Sequence, residues 1–381
     1  MKLARRQAPE RLDMTPLQLL NQHNMRQEKE KKLAASSRDL SHLAFIGAPY
    51  WSHFTRGDPY GEFQRDKNLL KRSKGSPNDE RPKAEPADPK EPKEEVCRVR
   101  VQSWLNMLAY LVNLGITYGS LTGAFGATNE ELSEKYQILV TPAGYAFAIW
   151  GAIFTWEGIF AVAQMFPSLS TSPVVHTVTP WWIFACCFQV AWTLFFAQDL
   201  IPGSLVCMLG ILLSLVTAIL RTDFLPEISL KEYFLLRAPF SLHCGWIIAA
   251  SVLNINVLAD YYMSSQETML MLAMVCLAGI AVIVALFTFA APRADPLIGL
   301  VAAWALLGIY VELENPENLL NMNKFNYIAW PQLVIESVRR TALVLSIASA
   351  CAASIAIFRS GWQRMRASDK SLTSDDATAV I

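Results

Sequence analysis

The chain has 381 residues, 52% hydrophobic and 17% charged, with 33 Lys and Arg against 33 Asp and Glu. The balance hides a split: residues 1–100 hold 21 of the basic and 15 of the acidic side chains, a head of net +6 on a body of net −6. A basic head so diluted with acid and so poor in aromatics argues against a nucleic-acid partner. Six of the seven cysteines lie inside apolar runs with no CxxC or Cys/His spacing, which argues against a disulfide scaffold or a metal site.

The head lacks the apolar core of a secretory signal, and Glu10 and Asp13 interrupt the Arg-rich opening that a mitochondrial presequence would need. Residues 15–33 fit a short helix, and 43–51 (LAFIGAPYW) form a weakly apolar cluster. Residues 74–95 (KGSPNDERPKAEPADPKEPKEE) have the Pro-, Glu- and Lys-rich composition of a disordered segment, so 1–100 reads as a charged, largely disordered extension. Cys97, beside Arg98 and Arg100, is a candidate acylation position.

Apolar runs near 104–124, 143–165, 180–198, 203–220, 237–258, 268–290, 297–311 and 339–358 approach the about 17–25 residues that cross a bilayer. The count is eight. The seventh is short enough to be re-entrant, which leaves seven as the alternative. Gly115, Gly119 and Gly123 recur every four residues in the first run, a helix-packing stripe that serves either the bundle or a homodimer. Lys90, Lys93, Arg98 and Arg100 before the first run, and Arg359, Arg364, Arg366 and Lys370 after the last, place both termini on the cytoplasmic side of the membrane. Residues 361–381 read as a polar tail.

The second run opens with TPAGYAFAIWG, in which Thr141 is a candidate cap and Pro142 suits a first helical turn. Glu157, in mid-run, is costly in lipid. It reads either as a proton-responsive group or ligand partner, or as a protonated carboxyl bonded to a neighbouring helix, or as a group near the inner interface. Gln189, His243 and Asn254 are further intramembrane polar groups whose plain reading is interhelical hydrogen bonding. No second ligand or attachment motif accompanies His243 to make a haem site. Trp104, Trp181, Trp182 and Trp330 fall near run ends, where an interfacial belt belongs. Trp150, Trp156, Trp192, Trp246 and Trp304 fall deeper and suit either packing or the walls of a pocket for a flat apolar ligand. The stretch from Leu230 to Arg237 fits a loose cholesterol pattern. No GxSxG, Walker or HExxH pattern appears, so no catalytic residues are assigned.

Three stretches, TPAGYAFAIWG, then Gln189-Val-Ala-Trp192-Thr193-Leu-Phe195-Phe196, then Arg237-Ala-Pro239 through Trp246 to Asn254, carry a shared pattern. Together they resemble the TspO/MBR family, the tryptophan-rich sensory proteins related to the translocator protein, in a longer branch with extra C-terminal helices. Pro142 and Trp150 keep the family spacing, as do Trp246 and Asn254. Trp192, Phe195 and Phe196 match, while Gln189 stands for the family's Asn and Thr193 for its Ser. The resemblance implies an all-α integral membrane fold: a five-helix core over 101–260, extended by helices in 261–360 to about eight spans. It also implies a cavity, closed by the loop between the first two helices, that takes a tetrapyrrole such as protoporphyrin or haem, or a sterol. By the family match Trp150, Trp192, Trp246 and Asn254 line it; by residue type Tyr145, Phe147 and Glu157 join them. The expected function is binding such a ligand for sensing, sequestration or transport. A proton-coupled transporter working through Glu157 and a membrane-anchored scaffold using the head are the alternatives. Some family members are reported to degrade porphyrins, but nothing in these residues demands an enzyme.

Overall fold

The computed structural model describes residues 91–322 and 326–378. The expectations for the helix at 15–33, the cluster at 43–51 and the head up to residue 90 lie outside the described residues, as does the Cys97 side chain. Among the described residues there is no strand. Eight long helices follow one another: α1 (Glu91–Ser120), α2 (Ile149–Ala163), α3 (Pro173–Ala197), α4 (Ile201–Asp223), α5 (Ala238–Tyr261), α6 (Gln266–Ala285), α7 (Pro296–Glu312) and α8 (Gln332–Thr378). One π-helical stretch, Tyr233–Arg237, leads into α5, and another, Leu286–Ala290, closes α6.

Among the described residues six stretches are long and apolar enough to cross a membrane: Gly144–Ala163, Pro173–Ala197, Ile201–Asp223, Leu230–Tyr261, Gln266–Ala290 and Gln332–Gln363. α1 and α7 occupy the places of the first and seventh expected spans. Cross-links near the ends of the apolar runs show that successive helices alternate in direction. At one end Ser103 Oγ donates to Gln164 O, Ser172 Oγ to Glu232 Oε1, Arg293 Nη1 to Thr222 O and Arg359 Nη1 to Thr288 O. At the other, Ala127 N–H donates to Ala197 O and Tyr327 Oη to Ser264 O, while Arg339 pairs with Glu314.

Three boundaries differ from the hydropathy reading. α1 starts at Glu91, inside the segment that composition marks as disordered, and stops at Ser120. Gly123 therefore lies beyond the helix, with a left-handed φ of +75°, and a Cβ added at Gly115 would meet nothing within 4 Å. The glycines do not pack α1 against the bundle. α3 starts at Pro173, where the Ser172 hydroxyl accepts from Val174 N–H, and runs through Pro180. A membrane helix tolerates that proline because its neighbours re-satisfy the freed backbone. α8 continues through the expected polar tail to Thr378. At the start of that tail Gln363 bonds the carbonyl of Pro292, and just before it Arg359 bonds those of Thr288 and Ala291 and Ser360 that of Ala294.

Candidate functional site

The segment ahead of α2 sets the wall of the site. Thr141 does not cap it; its hydroxyl turns back to Ile138 O at 3.4 Å, and Gly144–Ala148 form a 3-10 turn before α2 proper. α7 holds this turn. Gly308 O accepts from Ala143 N–H at 3.0 Å, and Ala146 O accepts from Trp304 Nε1 at 3.0 Å. Phe147 and Trp150 meet Trp246 of α5 edge-on, with centroids 5.5 and 6.3 Å apart, and Trp150 meets the His243 ring at 5.7 Å. Tyr145 stands apart: it is 43% exposed and edge-on to Trp304.

Behind these rings lies a polar centre. Glu157 is fully buried, and its Oε1 accepts from Trp182 Nε1 at 3.1 Å and lies 2.8 Å from His243 Nδ1. Phe160 and Phe240 pack edge-on against Trp182. Buried atoms without a hydrogen-bond partner include Glu157 Oε2, His243 Nε2 and Trp246 Nε1 at this centre, and both amide atoms of Gln189, two turns along α3 from Trp182. A native core leaves few such atoms, because each costs about 1–3 kcal/mol.

Trp182, expected in the interfacial belt, is instead wholly buried, because α3 begins well before it at Pro173. His243, expected as interhelical glue, is the partner of Glu157. Asn254 and Trp192 form a second group: Asn254 Oδ1 accepts from Ser204 Oγ at 3.0 Å and from Trp192 Nε1 at 3.5 Å, and Trp192 stacks on Phe196. Asn254 lies eight residues past Trp246, about 12 Å along α5. The expected site residues thus divide into Phe147, Trp150, Glu157 and Trp246 around the polar centre, Trp192 and Asn254 farther along, and Tyr145 outside both.

The α1–α2 loop closes over the α3–α4 junction. Its short helix Asn129–Lys135 is started by a Thr128–Glu131 capping box, and Lys135 and Tyr136 both bond Asp199. Burial, with the Asp199 carboxylate beside it, pushes the Tyr136 phenol up. At the opposite end of the bundle Arg237, 2% exposed, bridges Asp223 at 2.7 Å and Asp295 at 3.0 Å and donates to Thr222 Oγ1. Span counting treats it as a loop charge. A cavity of about 570 Å³ beside it is lined by Tyr233, Phe234, Leu297 and Ile357. Among the described residues no cluster of three or more His, Cys, Asp and Glu is placed to hold a metal ion.

Residues 103–335, more than half of the chain, match the family model described as TSPO-like protein, and the chain belongs to that family. The match begins in α1 and ends in the first turn of α8, so it takes in α6 and α7 beyond the five-helix core expected from the motifs. No curated protein and no solved structure matches the chain.

Proposed function

We propose that this TSPO-like protein, an integral multipass membrane protein, binds a flat, largely apolar molecule with polar edge groups, of the tetrapyrrole class, between α2, α3 and α5. The observation that carries the reading is the set of unpartnered buried atoms on Glu157, His243 and Trp246, beside the rings of Phe147, Trp150 and Trp246, with the unpartnered Gln189 amide farther along α3. A ligand with polar edges recovers the hydrogen bonds those atoms lack, and its faces suit the edge-on aromatic wall. The open His243 Nε2 offers a nitrogen to haem or a hydrogen bond to a free porphyrin. Binding of this kind serves sensing, sequestration or transport. We also place the end bearing Arg221, Lys231, Arg237, Arg293 and Arg359 toward the cytoplasm.

Protoporphyrin IX titrated into the protein in lipid nanodiscs tests the site. Saturable tryptophan quenching is expected, weakened at least tenfold in affinity by Trp150→Ala, Trp246→Ala and His243→Phe. Binding indifferent to those changes but lost in Phe234→Ala would move the site to the cavity beside Arg237. The buried Glu157–His243 pair also favours a second reading, proton-coupled transport. It predicts pH-dependent uptake into proteoliposomes that disappears in Glu157→Gln.

A further inference from the structure

α1 turns a polar face to the bundle. Ser103, Asn106, Tyr110, Asn113, Thr117 and Ser120 recur at three- and four-residue steps, while Trp104, Leu108, Leu111 and Val112 are exposed. Its first half is pinned. Asn106 Nδ2 donates to Gln164 Oε1 and to Thr179 Oγ1, both at 2.8 Å, and Gln164 Nε2 donates to Ser103 O at 2.9 Å. From Tyr110 onward the ties weaken to the Tyr110 hydroxyl on Phe154 O at 2.9 Å, a 3.9 Å contact from Asn113 Nδ2 to Cys186 Sγ, and the Tyr118–Phe154 ring contact. Thr117 and Ser120 direct their hydroxyls back onto α1 itself.

Between this looser half and α2 runs a groove of about 490 Å³, lined by Tyr110, Leu111, Leu114, Gly115, Tyr118 and Phe154. Leu111 and Tyr118 are exposed, so the groove faces the lipid side. Tyr110 forms its inner wall, and its ring stacks on Trp182 with centroids 6.5 Å apart. Trp182 is the donor to Glu157. One side chain and its stacking partner therefore stand between a lipid-facing groove and the polar centre.

We propose that this groove is a lateral entrance through which the membrane-dissolved flat ligand reaches the Glu157–His243 site, with Tyr110 as its gate. The inference rests on the binding-site reading above. The hydroxyl bond to Phe154 O holds the gate shut, and the weakly tied half of α1 lets it swing. A ligand of this class partitions into the bilayer, so entry from lipid draws on a far higher local concentration than entry from water.

Stopped-flow tryptophan quenching by protoporphyrin IX in nanodiscs tests the entrance. Gly115→Trp places a ring in the groove from a position where a Cβ meets nothing within 4 Å. Association and dissociation rates should both fall tenfold or more, with Kd changed less than twofold. Tyr110→Phe should raise both rates about threefold, equivalent to about 0.6 kcal/mol, the average worth of a hydrogen bond between membrane helices. Rates unchanged by Gly115→Trp while saturable binding persists overturn the entrance and leave the site intact. Rates that instead rise in Lys135→Ala, with Gly115→Trp inert, assign entry to the α1–α2 loop and overturn it as well. Loss of affinity without a matched change in rates also overturns it. Absence of saturable binding to the unaltered protein overturns the site and the entrance together.

Discussion

Replacing Glu157 by Ala and by Gln separates the two things its carboxyl does. In the folded protein Oε1 serves Trp182 Nε1 and His243 Nδ1 at 3.1 and 2.8 Å, with Glu157 itself fully buried. Alanine leaves both ring nitrogens without that partner. At about 1–2 kcal/mol for each orphaned group, the loss comes to about 2–4 kcal/mol before any cavity is counted. Glutamine keeps an acceptor oxygen in the same place, so it should cost no more than about 1 kcal/mol. A double-mutant cycle with His243→Phe isolates the shared part, since Glu157→Ala should then cost about 1–2 kcal/mol less than it does alone. Reversible unfolding in bicelles gives the free energies, and thermal melts in detergent give the order. If Glu157→Ala stays within 1 kcal/mol of the unaltered protein, the carboxyl is not an essential acceptor. If Glu157→Gln is as damaging as Ala, its charge rather than its hydrogen bonding holds the centre, and the reasoning fails.

Arg237→Leu should destabilise by about 3–5 kcal/mol in the same unfolding assay, because it strands two buried carboxylates; Asp223→Asn keeps an acceptor for the guanidinium and should cost far less. Gly126→Ala should open the α1–α2 loop, since the residue sits at φ +137° and an added Cβ would lie 2.3 Å from Ala197 O. Faster proteolysis within residues 121–143, with a cost of about 1–3 kcal/mol, is the expected result. Asn106→Leu removes the two donors that pin α1 to Gln164 and Thr179 and should cost about 1–3 kcal/mol, with raised cysteine accessibility along the first half of α1.

The apolar runs are legible because lipid demands them, and each expected span has its helix, though among the described residues only six of these are long and apolar enough to cross. The ends were less so, because hydropathy along one chain does not see what neighbouring helices satisfy. Gln363 reads as part of a solvated tail, and Arg359 as a charge flanking the last span, until the carbonyls of the α6–α7 connection appear beside them. Misplacing the start of α3 misplaced Trp182 with it. In α1 the glycine period drew the packing assignment, yet Ser103, Asn106, Tyr110 and Asn113 carried an equally regular stripe. In lipid it is the polar stripe that must turn inward, because the solvent outside cannot bond it. Part of the polar centre was also readable: Trp150 and Glu157 lie seven residues apart, as do Trp182 and Gln189, two turns on one face of each helix. The pairing of Glu157 with His243, 86 residues on, follows only from the packing of α2 against α5.

The family match runs past the fifth helix, and a helix in that stretch touches the site. The motif TPAGYAFAIWG is not held by the core helices alone. Ala143 and Ala146 bond Gly308 and Trp304 of α7, and Gly308 lets the turn approach so closely that a Cβ there would lie 2.9 Å from Pro142 and 3.0 Å from Ala146. α7 in turn rests on α8, where Ser346 Oγ donates to Ala303 O and Gly299 faces Ser349 and Ala353. The turn from which Phe147 and Trp150 reach Trp246 is thus held in part by a helix outside the five-helix core. A larger side chain at Gly308 should therefore disturb ring packing at the proposed site before it disturbs the core. Gly308→Ala should shift the tryptophan emission and weaken protoporphyrin IX binding severalfold, with a modest loss in thermal stability. Unchanged emission and affinity would show that α7 merely flanks the wall instead of setting it.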